Sequence, residues 1–462
     1  MIVMKFGGTS VGSAQRIREV ARIVTDTARD QEVVVVTSAM SKVTDLLVAA
    51  AAHAASRSTS EMSQVLSELR AMHTQAAEDL GAPLEPINER LDQLEHILAS
   101  VSALGETTPR AIDLIISHGE RLSIHLLSAA IAAAGPLAEP VEANELIVTT
   151  AHYGDARPLL NETRQRTLRR LGPVMQSGAV PVVTGFIGAT PEGFITTLGR
   201  GGSDYTATIL GHALDAEAVW IWTDVDGVMT ADPRIVPDAR TIDALTFTEA
   251  AELSYFGAKV LHPLTIVPAA LKGIPVFIKN TFNPTATGTK VSADDRPQVM
   301  QTISSMKNLA LITVQGRGMI GVPGVAAKVF TAIAAERINV LFISQASSEY
   351  NISLVVHRAD AASAVRVLRR AFATELADQD IEDVVSEDGV AIVAVVGEGM
   401  RGRPGVAGTT FAALGDAEVN ILAIAQGSSE RNISLVVDES DVALAVQAIH
   451  AQFYPANKVN QT

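Results

Sequence analysis

The last third of the chain is written twice. Residues 339–356 read NVLFISQASSEYNISLVV and residues 420–437 read NILAIAQGSSERNISLVV, an offset of 81 with 13 of 18 positions identical. The same offset pairs Val322-Pro323-Gly324-Val325-Ala326 with Arg403-Pro404-Gly405-Val406-Ala407, and LALITVQG at 309–316 with VAIVAVVG at 390–397. A fixed period of this kind means two copies of one structural unit of about 80 residues. Turn residues and apolar runs order each copy as strand, Gly-rich turn, helix opened near Pro, strand, turn, strand, helix and a final strand. This βαββαβ pattern predicts an α+β unit, with helices on one face of an antiparallel sheet.

In a chain of 462 residues the repeat leaves roughly 300 for something else, and those residues read differently. Apolar, β-branched runs at 2–6, 32–37, 180–185, 218–223 and 274–279 alternate with helical stretches. Strands that are apolar throughout, rather than at every second residue, predict a mainly parallel sheet covered on both faces. Residues 42–105 are rich in Ala, Leu, Glu and Gln at helical spacing, broken at Gly81-Ala82-Pro83 and at Pro86, and read as a helical insertion. The polar, Gly- and Pro-punctuated stretch 283–298 is the expected boundary. The expected domains are therefore 1–298, 299–384 and 385–462.

Composition removes several function classes. With 0 cysteines there is no disulfide framework, thiolate metal site or thiol nucleophile. A net charge of -15 gives a surface that repels phosphate backbones, so nucleic acid is not an expected partner. The Ala-rich stretches at 46–55 and 126–134 are too short to span a membrane and read as buried helices. Nor do the residues before Gly7-Gly8 contain an apolar core of signal-peptide length. The expected protein is soluble and cytoplasmic.

Candidate chemistry lies in Gly-rich loops. The first strand runs into Lys5-Phe6-Gly7-Gly8-Thr9-Ser10, where successive backbone N–H groups form an anion-binding nest. Lys5 adds a point charge, and Ser10 is placed to cap the next helix. Because the Lys precedes the glycines, this is not a Walker loop. Taken alone it is an ordinary strand–turn–helix joint. A second loop, Gly199-Arg200-Gly201-Gly202-Ser203-Asp204, precedes another helix and carries an arginine suited to bidentate carboxylate binding. Two anion-friendly loops in one α/β domain favour a binding role. A third segment, Thr223-Asp224-Val225-Asp226-Gly227, follows the strand 218–223, at the carboxyl end where open α/β sheets bind ligands. It lacks the remaining ligands of a calcium loop. His118 and His262 could be metal ligands or bases, but without a close His pair or any Cys a structural role is the stronger expectation.

The repeats also carry G-x-G-x-x-G, at Gly316–Gly321 and Gly397–Gly402, with Glu336 twenty residues beyond Gly316. A dinucleotide site would need a longer βαβ context than an 80-residue unit supplies, and Pro323 and Pro404 follow the third glycine. These loops read as turns in a small-ligand sensor.

Together, KFGGTSVG (5–12), SHGERLS (117–123), LGRGGSDYTA (198–207), WTDVDGVMTADPR (222–234), LSYFGAKVLHP (253–263) and the doubled SSE-x-NISLVV segments resemble aspartate kinase. They are spread over nearly the whole chain in family order. The resemblance implies a three-layer amino-acid-kinase sandwich followed by two ACT domains, and transfer of the γ-phosphoryl group of Mg-ATP to the β-carboxylate of L-aspartate. It assigns Lys5 and Asp204 to catalysis. Gly7, Gly8, Thr9, Thr223, Asp224, Met229, Arg234 and Lys259 fall on the ATP side, and Ser38, Thr44, Glu120, Arg200, Gly201 and Ser203 on the substrate side. Mg2+ is implied to sit mainly on the ATP phosphates, with no dedicated protein metal site. Met229 departs from the Tyr usual in relatives, although a Met can still pack against a base.

The repeats resemble those of threonine-responsive members, through Gln345 and Gln426. With Asn339 and Asn420 these are the expected effector contacts, for threonine and/or lysine, unless the glutamines merely pair across strands. Homo-oligomers formed through the ACT domains are implied as well. In bifunctional aspartokinase–homoserine dehydrogenases a second catalytic half follows this point, so kinase chemistry without a dehydrogenase is expected here. The rival readings are an amino-acid kinase for glutamate or a nucleotide, a silent amino-acid sensor, and a nicotinamide-dependent oxidoreductase.

Overall fold

The segment Val33-Val34-Val35-Val36 has no polar face, so it can lie only in the middle of a sheet with helices over both sides. In the computed structural model it does. The structure describes residues 1–255, 262–293 and 302–455, which divide into two compact units. The first comprises Met1–Val228, Thr241–Ala251 and 262–293; the second comprises Met229–Arg240, 252–255 and 302–455.

The strands of the first unit are β1 (Ile2–Phe6), β2 (Val33–Thr37), β3 (Ala138–Val141), β4 (Val180–Thr184), a separate hairpin of β5 (Ile187–Ala189) and β6 (Ile195–Thr197), then β7 (Ala218–Thr223), β8 (Ala244–Thr246), β9 (Val276–Asn280) and β10 (Thr289–Ser292). Eight of them form one sheet in the order β3-β4-β2-β1-β7-β9-β10-β8, parallel except where β10 meets β9. The five strands expected from continuous apolar runs are all present. The short β3, β8 and β10 and the hairpin, which lack such runs, are additions.

Side chains alternate across β1. Ile2, Met4 and Phe6 join a core with α1 (Ala14–Ala28) and the insertion helices α2 (Val43–Ala55), α3 (Thr59–Leu80) and α4 (Glu85–Leu104). After the short α5 (Pro109–Ile116), α6 (His118–Ala134) completes that layer. Gly81, in the left-handed conformation, ends α3 as its position suggested, whereas Pro86 opens α4 rather than breaking a helix. The other face of β1, carrying Lys5, meets α8 (Gly202–Leu214), flanked by α7 (Leu160–Gln176) and, after α9 (Phe247–Tyr255), by α10 (Pro263–Lys272). This is the expected three-layer sandwich.

The second unit holds one six-stranded antiparallel sheet, in the order β12-β13-β11-β14-β16-β15. Its elements are β11 (Thr302–Gln315), α11 (Val325–Ala335), β12 (Phe342–Gln345), β13 (Asn351–His357), α12 (Ala361–Ala371), α13 (Ala373–Ala377), β14 (Asp383–Val396), α14 (Val406–Asp416), β15 (Ala423–Gln426), β16 (Asn432–Asp438) and α15 (Val442–Phe453). The two copies are more entangled than a tandem repeat suggests. Residues 383–388 of β14 close the first copy, while 390–396 open the second. The fourth strand position of the second copy is filled from the beginning of the unit, Thr302 to Met306 of β11 pairing with Val396 to Ile392. A register shift between Met306 and Leu309, with Asn308 at φ 60°, lets β11 serve both copies. The 384/385 division falls inside β14, and 298/299 lies outside the described residues.

The G-x-G-x-x-G loops stand in this antiparallel sheet, without the parallel βαβ surroundings of a dinucleotide fold. Their amides already have acceptors: Gly318 N donates to Asp380 O (2.8 Å), Gly321 N to Glu349 Oε2 (2.7 Å) and Gly402 N to Glu430 Oε2 (2.6 Å).

Candidate active site

The carboxyl ends of parallel strands β1, β2, β4 and β7 lie side by side, and the loops leaving them surround a cavity of about 700 Å3. Its lining includes Lys5, Gly7, Gly8, Thr9, Ser38, Thr44, Glu120, Arg200, Gly201, Ser203, Asp204, Thr223 and Asp224. Thirteen residues expected to act together, from five separated motifs, thus meet at one place. Met229 and Arg234 belong to the second unit and do not line this cavity; Arg234 is ion-paired with Asp232 at 2.6 Å. Lys259 lies outside the described residues.

Lys5 projects toward α8 because it is an odd member of β1, opposite the face of Met4 and Phe6. Its Nζ stands 2.5 Å from Asp204 Oδ1, with 11% and 15% of the two side chains exposed. An ion pair this dry is held in one geometry, so the ammonium is fixed at the floor of the cavity. Beyond it, Gly7 N donates to Trp222 O and closes the turn, while the amides of Gly8 and Thr9 have no backbone acceptor among the described residues. They are the donors of an anion nest. Ser10 does not cap α1: its hydroxyl is buried against Thr281 Oγ1 at 2.7 Å, and Ser13 takes the cap position. The helix begins three residues later than the turn alone implied.

Glu120 arrives at the cavity from α6. The preceding Gly119 explains how, since a Cβ there would stand 2.8 Å from the Ala39 Cβ; only glycine lets the helix press so close to the loop after β2. Glu120 Oε1 accepts from Ala39 N at 3.2 Å, while Oε2 is buried with no hydrogen-bond partner among the described residues. Burial pushes this carboxyl up to about 8, against the opposing pull of the Ala39 amide and of Lys5. A cation placed beside Oε2 would favour the carboxylate form and lower this value.

Arg200 is exposed, and among the described residues its guanidinium has no acidic partner. Burial, and secondarily the Arg200 charge, hold nearby His262 below the ordinary imidazole range. His118 is buried, its Nδ1 on Leu114 O at 2.9 Å, and burial holds it down to about 4, a neutral structural histidine. Among the described residues no group of three or more His, Asp or Glu could hold a metal ion. Asp226 is likewise structural, accepting from Asn280 and Asn283 Nδ2 at 2.8 and 3.1 Å.

Several cavity residues escaped the motif reading. Ser41 Oγ donates to Gly8 O at 2.9 Å and braces the nest; Lys42 sits at φ 70° before α2; Phe186, at φ 69°, follows β4. The signal for Ser41 and Lys42 was their place between Ser38 and Thr44. For Phe186 the one signal in the sequence is its place just past a buried strand, at the carboxyl end.

In the second unit, Gln345 and Gln426 end β12 and β15 at identical register, opposite Ile352 and Ile433, and both are exposed, as are Asn339 and Asn420. Ser344 Oγ donates to Ile424 O at 3.1 Å and links the two copies directly.

The sequence matches the amino acid kinase family over residues 1–280 and the ACT domain over 312–372 and 393–453. It is 37% identical to the chloroplastic bifunctional aspartokinase/homoserine dehydrogenase 1 of Arabidopsis thaliana, over 98% of this chain and 51% of that protein. The chain thus spans about half the length of the bifunctional relatives it matches. Chloroplastic aspartokinase 3 of the same plant is 36% identical, over 98% of this chain and 81% of that one. Among solved structures, E. coli aspartokinase III in complex with aspartate and ADP (R-state) superposes with a TM-score of 0.82 at 32% identity, covering 98% of this chain and 99% of the other. The same enzyme in complex with lysine and aspartate (T-state) gives 0.79 at 32% identity, with equal coverage. With more than half the chain matched by the family and aspartokinase 3 covered over four-fifths of its length, this chain belongs to the amino acid kinase family, among its aspartokinases.

Proposed function

We propose that the protein is an aspartate kinase, transferring the γ-phosphoryl group of ATP to the β-carboxylate of L-aspartate to give 4-phospho-L-aspartate. The observation that carries this reading is the Lys5–Asp204 pair, which lines one cavity together with the Gly8–Thr9 nest and Arg200. E. coli aspartokinase III, at 32% identity, binds aspartate and ADP, which supports the same pair of ligands here.

The chemistry suits these residues. A β-carboxylate is already ionised at neutral pH, so the nucleophile needs no general base. The difficulty is holding two anions in line and stabilising the charge that spreads over the transferring group. Lys5 and the Gly7–Thr9 amides take the ATP phosphates, Thr223 and Asp224 face the nucleotide, and Asp204 fixes Lys5. Arg200 takes the α-carboxylate with Gly201 and Ser203 beside it, Glu120 takes the ammonium, and Ser38 and Thr44 border the acceptor carboxylate. Mg2+ would be held mainly by the ATP phosphates, with the Asp204 and Asp224 carboxylates as the protein oxygens beside it, and would supply neutralisation of phosphate charge. Met229, Arg234 and Lys259 remain assigned to the nucleotide by resemblance.

The exposed Gln345, Gln426, Asn339 and Asn420 are assigned to a feedback amino acid, threonine and/or lysine. Homo-oligomers form through the same sheet, whose end strands expose Ile343 and Ile424. No helix among the described residues is long and apolar enough to cross a membrane, in keeping with a cytoplasmic location. ADP release measured with aspartate, glutamate or no acceptor tests the assignment. Aspartate alone should stimulate release above the acceptor-free rate; stimulation by glutamate, or none at all, would reject it.

A further inference from the structure

Asp113 is a buried acid that the reaction above does not use. It lies on α5, is 1% exposed and does not line the cavity. Three donors converge on its carboxylate from two other segments. Gly154 N and Thr197 N donate to Oδ2 at 3.0 and 2.8 Å, and the Thr197 hydroxyl donates to Oδ1 at 2.8 Å. A carboxylate placed so far from water costs stability unless every such bond is made, so the arrangement is specified rather than incidental.

Thr197 is the last residue of β6, and three residues later comes Arg200. The two segments that Asp113 ties are also tied to each other, through Ala156 N to Thr197 O at 2.9 Å. Where the chain leaves them, Gly199 runs at φ 74°, so close that a Cβ there would stand 3.0 Å from Asp155 Oδ1 and 3.2 Å from Gly154 O. The Gly154–Asp155 turn is therefore the surface against which the Arg200 loop is laid, and Asp113 holds that surface and the loop's root together. Tyr205, on the first turn of α8, feels both Arg157 and Asp155 from the same turn.

We propose that Asp113 is a positioning residue for the acceptor substrate: through Thr197 and Gly154 it sets the place of Arg200, Gly201 and Ser203 relative to the Lys5–Asp204 pair. Burial pushes its carboxyl above the ordinary value while the three donors pull it back, and all three require an acceptor at this position. The inference rests on the assignment of Arg200 to the aspartate α-carboxylate. Its consequence is asymmetric. Loosening the loop misplaces the acceptor and leaves the phosphate nest, built on β1, where it was.

The test is steady-state kinetics, read as aspartyl hydroxamate, on wild type, Asp113→Ala, Asp113→Asn, Thr197→Val and Arg200→Ala. Asp113→Ala should raise the KM for aspartate roughly tenfold to a hundredfold, the loss expected for a hydrogen-bonded charge, with the KM for ATP within about twofold. Asp113→Asn, which keeps an acceptor for both amides and can exchange bonds with the Thr197 hydroxyl, should recover most of that loss. Thr197→Val, which removes one of the three bonds, should raise it severalfold. An aspartate KM unchanged in folded Asp113→Ala would overturn the proposal, as would equal changes in both KM values. If Asp113→Ala does not fold, an unchanged aspartate KM in Thr197→Val overturns it equally. Absence of hydroxamate from wild type, or an unaltered aspartate KM in Arg200→Ala, would instead strike the reading on which the proposal stands.

Discussion

Lys5 and Asp204 form a largely buried ion pair in the cavity, and the proposed reaction gives them separate tasks. In that reaction Lys5→Ala removes the charge that meets the transferring phosphoryl group, so kcat should fall about 10²–10³-fold, with the KM for aspartate changed far less. Circular dichroism and the melting temperature would show that the fold persists; near-normal turnover in the folded variant would contradict the role of Lys5. Glu120 gives a prediction in pH. Its carboxyl titrates near 4.5 when unfolded and near 8 in the folded, substrate-free site. Between these values the unfolded chain gives up a proton that the folded chain keeps, so stability falls as pH rises from about 5 to 8. Glu120→Gln removes this dependence, and its melting temperature should gain on wild type across that range. Parallel pH profiles would show that another group is responsible. At this scale the sequence showed which residue types gather, because Gly, Lys, Arg and Asp at these spacings have few other uses. It did not show the braces. Ser41 on the Gly8 carbonyl and Asp113 on Thr197 are contacts between residues 33 and 84 positions apart, with no local pattern to announce them.

The elements followed from periodicity wherever burial was complete. Uninterrupted apolar runs became the central parallel strands, and the helical insertion broke at Gly81 as its chemistry required. The short edge strands β3 (AEPV) and β8 (ALT) escaped because a sheet margin needs no apolar run. The repeat was plain, yet it hid the exchange of strands between copies. A period states how often a unit recurs and not which strand supplies each edge. One prediction belongs here. Ile303, 2% exposed, lies in the part of β11 lent to the second copy and packs into that copy's core. Ile303→Ala should cost about 2–5 kcal/mol, and the loss should be local. Hydrogen exchange should quicken in β16 and residues 390–396 of β14 before β12 and β13. Uniform acceleration in both copies would show that the borrowed strand has no such allegiance.

At the level of the whole molecule, the chain joins a unit of the amino acid kinase family to a doubled ACT sheet. Gln345 and Gln426 occupy equivalent ends of β12 and β15, each in register with an isoleucine, Ile352 or Ile433, whose side chain offers no hydrogen bond. Gln345→Ala and Gln426→Ala should therefore weaken inhibition by threonine and/or lysine while leaving uninhibited turnover intact. Inhibition curves that superpose on wild type would remove both residues from effector binding. The reaction proposed for the cavity is phosphoryl transfer to the β-carboxylate of aspartate. It is tested most directly by incubating the purified protein with Mg-ATP, aspartate and hydroxylamine and identifying the trapped product by mass spectrometry and chromatography against authentic standards. β-Aspartyl hydroxamate is expected, dependent on both substrates and formed about 10²–10³-fold more slowly by Lys5→Ala. Hydroxamate on the α-carboxylate, a product from glutamate in its place, or no product under any condition would contradict it.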